Sequence, residues 1–243
     1  MTVPEATRLF KAVDATWPAA RVIQTDHWAL RAGQGGGKRV SAATALGEGA
    51  ETYIAEAERD MAALDQAPLF MIRGGEETLD TALAAQGYVI VDPVELLCAP
   101  VAALTDLPIP RLTTFTVWEP LAIMKEIWAQ GGIGLARLEV MHRAVDKTAI
   151  LARWNQRPAG VGFVARDGDI AMVHAVEVLP AHRRQGVAQW IMRQAAFWAA
   201  AQGVETIAVL CTKANPPALA LYKGLGFAPA GAYHYRQKIT AGD

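Results

Sequence analysis

A short basic turn between a strand and a helix is the segment of this sequence best suited to hold an anion. Residues 176–189 read VEVLPAHRRQGVAQ, a strand followed by a turn and the start of a helix. Backbone N–H groups of such a turn and of a helix N-terminus favour bound negative charge. Gly186 has no Cβ to block a phosphate, and small Ala188 leaves the next position open. Arg183 and Arg184 add positive charge, so the turn predicts a phosphate-binding site.

Two other phosphate-binding motifs fit this sequence poorly. A dinucleotide-binding turn requires G-x-G-x-x-G after a strand, and residues 176–189 contain only Gly186. Residues 33–39, GQGGGKR, approach the nucleotide-binding pattern G-x-x-x-x-G-K-[ST]. However, Ala32 stands at the first glycine position and Arg39 at the hydroxyl position. Without that hydroxyl there is no evident magnesium ligand, and we interpret the run as a hairpin loop joining two strands.

The basic turn resembles the fingerprint of the GNAT superfamily of N-acetyltransferases. That fingerprint is R/Q-x-x-G-x-G/A after a strand, and it stands here as Arg183-x-x-Gly186-x-Ala188. Alone it is a modest signal, because six loosely defined positions recur by chance.

The segment after the turn strengthens the resemblance. Asn215-x-x-Ala218-x-x-x-Tyr222-x-x-x-Gly226-Phe227 follows the strand predicted at residues 206–211 with the spacing that the family shows. The resemblance covers residues 112–238, about half of the chain.

The resemblance implies an acetyl-CoA site built from the strand, the turn and a later helix. In GNAT enzymes the strand before the turn pairs with the pantetheine arm, and the turn binds the pyrophosphate. Asn215 is expected either to bond the cofactor or to cap its helix. The residues thereby assigned to CoA binding are Val176, Glu177, Val178, Arg183, Arg184, Gln185, Gly186, Val187, Ala188, Gln189, Asn215 and Tyr222.

Three of these positions are expected to take part in catalysis. Tyr222 suits a general acid, because aminolysis of a thioester expels a thiolate that gains from protonation. The backbone N–H of Val178 is the expected donor to the thioester oxygen. The attacking amine must be neutral, and Glu177 is the first candidate for its base, although strand alternation leaves open which face its side chain takes. His174 is the second candidate, and ordered water or another residue are further alternatives.

Hydrophobic periodicity predicts the elements that must position these residues. In the second half of the chain it predicts strands at residues 113–118, 148–154, 160–166, 170–179, 206–211 and 233–238. It predicts helices from Pro120 and over residues 133–143, 186–201 and 217–225. The order β-α-α-β-β-β-α-β-α-β is typical of a mixed α/β sheet covered by helices.

The first half of the chain repeats this order more loosely. Hydrophobic periodicity there predicts strands at residues 21–31, 39–46, 68–73 and 88–97, and helices at residues 51–65 and 77–86. Prolines at positions 100, 108 and 110 favour an extended linker over residues 99–111. We therefore predict a degenerate GNAT-like domain without a cofactor site over residues 1–105 and a catalytic domain over residues 106–243. A chance likeness between two α/β domains is the alternative.

The comparison of the two halves predicts one active site per chain. Placing Tyr88 over Phe227 puts Leu83 where Tyr222 stands and Glu76 where Asn215 stands. The stretch LGEGA at residues 46–50 takes the place of the basic turn, so the first half lacks both the anion site and the acid.

Composition excludes several other classes of protein. A net charge of −1 with 19% charged residues gives no support for nucleic-acid or membrane-surface binding. No apolar run approaches the roughly 20 residues that span a bilayer, and the N-terminus lacks the features of a signal peptide. The two distant cysteines, Cys98 and Cys211, favour a reducing cytoplasm, and no residues show metal-ligand spacing.

The sequence thus predicts a tandem GNAT-like acyl-CoA N-acyltransferase with an α/β (α+β mixed sheet) fold. The expected reaction moves an acetyl group from acetyl-CoA to a primary amine of a small molecule, by direct attack in a ternary complex. The expected protein is cytoplasmic and a monomer or homodimer. A non-catalytic acyl-CoA-binding regulatory module and a protein or peptide N-acetyltransferase are the alternatives. Tyr222 and Asn215 argue against the module, because a pure binder has no evident need of an acid.

Overall fold

The computed structural model describes residues 4–238, which form two compact units. Unit 1 contains the chain up to Pro18, Leu96–Cys211 and Asn215–Ala230. Unit 2 contains Ala19–Glu95, Thr212–Ala214 and the chain from Gly231. Each unit is therefore assembled from separated stretches of chain, whereas the sequence predicts a single boundary after residue 105. Whether residues 1–105 are a degenerate GNAT-like domain stays a prediction.

The helices and strands follow the chain in this order. The helices are α1 (Ala6–Thr16), α2 (Ile54–Ala62), α3 (Glu77–Ala85), α4 (Ala122–Gln130), α5 (Leu135–Arg143), α6 (Val187–Ala201) and α7 (Pro216–Gly224). The strands are β1 (Arg21–Gln24), β2 (Trp28–Ala32), β3 (Thr44–Ala45), β4 (Leu69–Arg73), β5 (Tyr88–Pro100), β6 (Thr114–Val117), β7 (Asp146–Trp154), β8 (Arg157–Asp167), β9 (Ile170–Val178), β10 (Thr206–Thr212) and β11 (Ala228–Lys238).

A mixed sheet forms the centre of unit 1, in the strand order β5-β10-β9-β8-β7-β6. Strands β6 to β9 pair antiparallel with their neighbours, and β9 pairs parallel with β10. From β6 to β11 the elements come in the predicted order β-α-α-β-β-β-α-β-α-β. The mixed α/β class predicted from the sequence is thereby confirmed.

Helices cover both faces of the unit 1 sheet. Strand β8 shows this by alternation, since neighbouring side chains on a strand point to opposite faces. A Cβ placed on Gly162 would lie 2.6 Å from Ile191 of α6, whereas the ring of Phe163 contacts Trp17 beside α1 at 6.0 Å between centroids. Glycines in β8 thus let α6 approach closely on one face, and α1 packs on the other.

Helix α1 was not predicted from the sequence. Its buried residues Leu9, Phe10, Val13 and Thr16 recur at helical spacing, and it packs against β8 and β9. This placement makes the first part of the chain a component of unit 1.

Unit 2 has a core of its own, to which Trp28, Phe70 and Tyr88 contribute large buried rings. The three strands β1, β2 and β3 form one antiparallel sheet, and β11 pairs antiparallel with β4.

The strands predicted at residues 21–31 and 39–46 are wrong in their bounds. Residues 21–31 form the hairpin β1–β2, because the hydroxyl of Thr25 accepts from the backbone N–H of Trp28 (3.1 Å) and turns the chain. Residues 39–46 contain a 3₁₀ turn at Lys38–Val40 and only the two-residue strand β3. In this turn Ser41 N–H donates to the Lys38 carbonyl (3.1 Å), so local bonds replace the ladder.

The predicted extended linker at residues 99–111 is wrong at its start. Strand β5 continues to Pro100, and the chain then makes a 3₁₀ turn at Val101–Ala103. The N–H of Val101 donates to the carbonyl of Glu205 (2.9 Å), and Leu104 is fully buried. These contacts fix the segment to unit 1.

Candidate active site

The two parallel strands of unit 1 part toward their carboxyl ends. Strand β9 pairs with β10 from Ile170 and Thr206 to Val173 and Val209. Both strands continue beyond this point, β9 to Val178 and β10 to Thr212. A gap therefore opens between their last residues.

A bulge in β9 accounts for the gap. The pairing of β9 with β8 shifts register between Val161 and Phe163, and Ala175 of β9 has φ +52°. An extra residue in one strand bends it and increases its local twist. The bend carries the end of β9 along β8 and away from β10.

The backbone of Val178 faces this gap. The N–H of Leu179 donates to the carbonyl of Ala159 in β8 (2.9 Å). Backbone groups of successive residues in a strand point to opposite edges, so the N–H of Val178 points to the β10 side. This direction agrees with the predicted role of Val178 as a donor to the thioester oxygen, which stays a prediction.

The side chains at the end of β9 divide between the two faces of the sheet. Val176 and Val178 pack against the core on the face that α6 covers. Glu177 takes the opposite face, where its Cδ would lie 2.4 Å from a Cβ placed on Gly131. Strand alternation alone leaves open which face of the sheet the Glu177 side chain takes. In the structure it lies on the face away from α6.

Burial raises the pKa of the Glu177 carboxyl, and the charges of Arg183 and Arg137 oppose that rise. A raised pKa brings a carboxylate closer to the pH at which it is an effective base. The half-buried position of Glu177 at the end of β9 therefore suits the role predicted for it.

His174 points away from the gap and into the packing of α1. Its Nε2 lies 3.0 Å from Oγ1 of Thr16, and that hydroxyl donates its own proton to the Ala12 carbonyl (2.6 Å). Nε2 of His174 must therefore be the donor in this pair. The ring also contacts Trp17 at 5.1 Å between centroids. These contacts favour a structural role for His174.

The basic turn has the backbone of an anion site. Arg184 has φ +61° and Gly186 φ +77°, and α6 begins after Gly186 without a side-chain cap. The first N–H groups of a helix have no intrahelical acceptor, so those of α6 are directed at this turn. The first helical bond of α6 runs from the N–H of Trp190 to the carbonyl of Gly186 (3.2 Å).

Two contacts hold the turn in place. Nε of Arg183 donates to the carbonyl of Val178 (3.1 Å), and Val187 is buried against the core. The side chains of Arg184 and Gln185 remain exposed, and Ala188 and Gln189 are partly buried. The turn thus presents its backbone and charge to solvent next to the end of β9.

Helix α7 presents Tyr222 from the α6 side of the sheet. Oδ1 of Asn215 accepts from the N–H of Ala218 (3.2 Å), so the structure shows the capping role foreseen for Asn215. The ring of Tyr222 is buried, with the ring of Phe227 at 5.7 Å. Burial raises the pKa of the Tyr222 phenol, with a smaller effect from the nearby thiol of Cys211. The phenol therefore keeps its proton at neutral pH.

The corresponding turn of unit 2 is acidic. Gly49 has φ +85° and precedes the 3₁₀ turn Ala50–Tyr53, as Gly186 precedes α6. A pocket of about 440 Å³ lies there, and its lining includes Glu48, Glu51 and Glu76 but no lysine or arginine. The carboxylates disfavour a bound pyrophosphate at this position.

The bulge at Ala175 and the contact of Gly131 with Glu177 were missed by sequence reasoning. In the sequence, Gly131 and Gly132 indicate only a break between the helix predicted from Pro120 and the helix predicted over residues 133–143, and Ala175 carries no turn signal. Across residues 4–238, no group of three His, Cys, Asp or Glu residues is placed to hold a metal ion. None of the described helices is both long and apolar enough to cross a bilayer.

Comparison with protein families decides how this site is classified. Residues 115–227 match the model of the acetyltransferase (GNAT) family. This segment is a GNAT acetyltransferase domain. The GNAT domain contains the parted strands, the basic turn, Asn215 and Tyr222, and it confirms the predicted family and the predicted class of enzyme.

Solved structures resemble the chain over more than its GNAT domain. A GCN5-related N-acetyltransferase from Kribbella flavida has a TM-score of 0.70 and 19% identity, over 99% of this chain and 98% of that chain. A functionally unknown conserved protein from Staphylococcus epidermidis has a TM-score of 0.70 and 14% identity, over 93% and 96% of the two chains. A tandem GNAT protein from the clavulanic acid biosynthesis pathway has a TM-score of 0.59 and 14% identity, over 80% and 74%. At these identities the likeness establishes the fold. A comparison of the sequence with curated proteins finds no match.

Proposed function

We propose that the chain transfers an acetyl group from acetyl-CoA to a primary amine of a small molecule, by direct attack in a ternary complex. The observation that carries this proposal is the gap between β9 and β10, which begins beyond Val173 and Val209. A strand edge beside an uncapped helix N-terminus suits a ligand with an extended amide arm and a pyrophosphate.

The residues around the gap fit acetyl-CoA. Val176 and Val178 would pair their backbone with the pantetheine arm, as a neighbouring strand would. The N–H groups of residues 184–189 would bind the pyrophosphate, with Arg183 and Arg184 supplying charge. The positive φ of Gly186 supports this assignment, since it aims the turn and the helix N-terminus at one point.

Acetyl-CoA supplies, when bound, a thioester that an amine converts into an acetamide with release of the CoA thiol. Three groups of the chain would assist. The N–H of Val178 would donate to the carbonyl oxygen as negative charge develops there. Glu177 would accept the proton that the amine nitrogen loses and would then release it to solvent. The phenol of Tyr222 would donate its proton to the departing sulfur and regain one from solvent, so that protons balance.

The proposal includes a cytoplasmic protein with one cofactor site. Cys98 and Cys211 are both buried and form no disulfide, which supports a reducing compartment. The acidic lining of the pocket at Glu48, Glu51 and Glu76 supports a single cofactor site, in the GNAT domain.

The test begins with calorimetric titration of acetyl-CoA into the intact protein. Thiol release is then followed with a panel of primary amines that includes small molecules and peptides. Binding together with turnover on small amines supports the proposal. Turnover on peptides alone would identify a peptide N-acetyltransferase, and binding without turnover on any amine would identify a regulatory module. Propionyl-CoA and succinyl-CoA in place of acetyl-CoA test the acyl group.

A further inference from the structure

Gly131 ends helix α4 at the place where the helix meets β9. Its N–H donates to the carbonyls of Ile127 (3.3 Å) and Trp128 (3.0 Å), which completes the last turn. Its backbone has φ −85° and ψ 8°. Any L-residue adopts these angles, so the backbone conformation does not explain a glycine here.

A hydrogen bond fixes the end of α4 to the bulge of β9. The indole N–H of Trp128 donates to the carbonyl of Ala175 (2.8 Å), and the Trp128 side chain is fully buried. Ala175 is the bulged residue, two positions before Glu177. The distance between the end of α4 and Glu177 is therefore set by this hydrogen bond.

The space at Gly131 is taken up by Glu177. A Cβ on Gly131 would lie 2.4 Å from Cδ, 2.7 Å from Oε2 and 2.8 Å from Cγ of Glu177. Carbon atoms in contact lie about 3.5–4.0 Å apart, so a Cβ would force the carboxyl to another position. Since the obstructed group is a flexible side chain, the Glu177 rotamer would change and the fold would not.

We propose that Gly131 is a positioning residue for acetyl transfer, because the missing Cβ lets the end of α4 hold the Glu177 carboxyl beside the gap between β9 and β10. The inference rests on the proposed function, in which Glu177 takes the proton of the amine. The charged side chains that act on this carboxyl are Arg183 from the basic turn and Arg137 from α5. A carboxyl displaced by a Cβ gains water and loses its reach to the amine.

The test compares Gly131→Ala with Gly134→Ala in the intact protein. Gly134 follows in the same loop with φ −87°, and a Cβ there meets no atom within 4 Å. Thermal unfolding establishes that both variants are folded. The Glu177 carboxyl is then titrated by NMR on protein with ¹³C-labelled glutamate and no cofactor, its signal being identified by its loss in Glu177→Gln.

Gly131→Ala should lower the pKa of the Glu177 carboxyl toward its ordinary value, since displacement relieves burial, and Gly134→Ala should leave it unchanged. Gly131→Ala should also lower kcat/KM on the order of 10²-fold, the effect of misplacing a catalytic group by about 1 Å. The double variant Gly131→Ala/Glu177→Gln should match Glu177→Gln, because both changes remove the same group.

Two results would overturn the inference. One is a Glu177 titration that is identical in the wild type and in Gly131→Ala. The other is a shifted titration with unchanged kcat/KM, which would show the contact but deny it a role in transfer. Failure of the proposed function is recognised separately, by a wild type that binds acetyl-CoA and acetylates no amine.

Discussion

The proton on Tyr222 depends on where α7 places the ring. Burial raises the pKa of the phenol above its ordinary value near 10, so the acid form persists through neutral and mildly alkaline pH. An acid of this kind contributes roughly 10²–10⁴-fold to rate.

Tyr222→Phe should therefore lower kcat about 10²-fold while the affinity for acetyl-CoA changes little. The phenylalanine ring keeps the packing against Phe227, and only the hydroxyl is lost. Thiol-release kinetics measure kcat, and calorimetry measures the affinity. Equal turnover by wild type and variant across the pH range would remove Tyr222 from the reaction.

Glu177 is predicted to lower stability while it serves catalysis. Its folded-state pKa is raised, mainly by burial, so between the unfolded and folded pKa values the folded state binds more protons. The free energy of unfolding then falls as pH rises through that window, and the loss persists above it.

Glu177→Gln should accordingly raise the melting temperature above that window, at pH 7 to 8, and lower kcat/KM. Below the window, where the carboxyl is protonated in both states, the stability difference from this titration should vanish. Differential scanning calorimetry at several pH values measures the change. The melting temperature of Glu177→Gln minus that of wild type should be larger at pH 8 than at pH 4. A smaller difference at pH 8 than at pH 4 contradicts this account.

Residues whose roles depend on local spacing could be predicted from the sequence. Gly186 and Asn215 lie where their segments need a positive φ and a helix cap. Ala175 and Gly131 could not be predicted, because their roles come from contacts distant in sequence. The bulge depends on the register of β9 against β8, and the glycine matters through Glu177.

At the scale of elements, alanine in place of Gly186 and alanine in place of Gly224 are expected to change stability in opposite directions. Gly186 has φ +77°, and a Cβ there meets no atom within 4 Å, so the conformation and not the space requires glycine. Gly224 closes α7 with helical geometry and equally open surroundings.

Gly186→Ala should lower the free energy of unfolding by about 1–2 kcal/mol, the cost of a left-handed residue with a Cβ. It should also weaken acetyl-CoA binding about tenfold, since the turn loses its alignment with the pyrophosphate. Gly224→Ala should instead stabilise by up to about 1 kcal/mol. Urea unfolding and calorimetry measure both, and effects of the same sign in the two variants would contradict the assignment.

The periodic elements of the GNAT domain were predicted well, whereas helix α1 and the short elements of the first half were not. The strands and helices of the GNAT domain follow hydrophobic periods that local sequence carries. The strands predicted at residues 21–31 and 39–46 were wrong because local hydrogen bonds outweigh strand propensity there. These are the bond that the Thr25 hydroxyl accepts and the backbone bonds of the 3₁₀ turn. Such bonds leave little trace in a hydrophobic pattern.

At the scale of the whole molecule, α1 links the first residues of the chain to the stability of unit 1. Leu9 is fully buried and Lys11 is exposed on the same helix. Leu9→Ala should lower the free energy of unfolding by about 2–5 kcal/mol through lost burial and a cavity.

Lys11→Ala is the matched control and should change stability by less than about 0.5 kcal/mol. Chemical denaturation measures both variants. If Leu9→Ala proves as mild as the control, α1 contributes little to the stability of unit 1.

The chain is predicted to bind one acetyl-CoA. The anion turn of the GNAT domain carries arginines, whereas the pocket of unit 2 is lined by Glu48, Glu51 and Glu76. Carboxylates repel a pyrophosphate over the distances involved.

Calorimetric titration should give a stoichiometry of one per chain, and Arg183→Glu/Arg184→Glu should abolish the only binding isotherm. Two sites per chain, or residual tight binding in the double variant, would show that unit 2 also takes the cofactor.

The pairing of β4 with β11 has a consequence for synthesis of the chain. In unit 2, Arg73 of β4 pairs with Tyr233 of β11, so the two partners leave the ribosome far apart in time. At typical elongation rates of roughly 5–20 residues per second, the delay is on the order of ten seconds. During that delay β4, with the apolar sequence LFMIR, has an unpaired edge that can join other nascent chains. Strand β11, which is made late, thus ends the exposure of β4, which is made early.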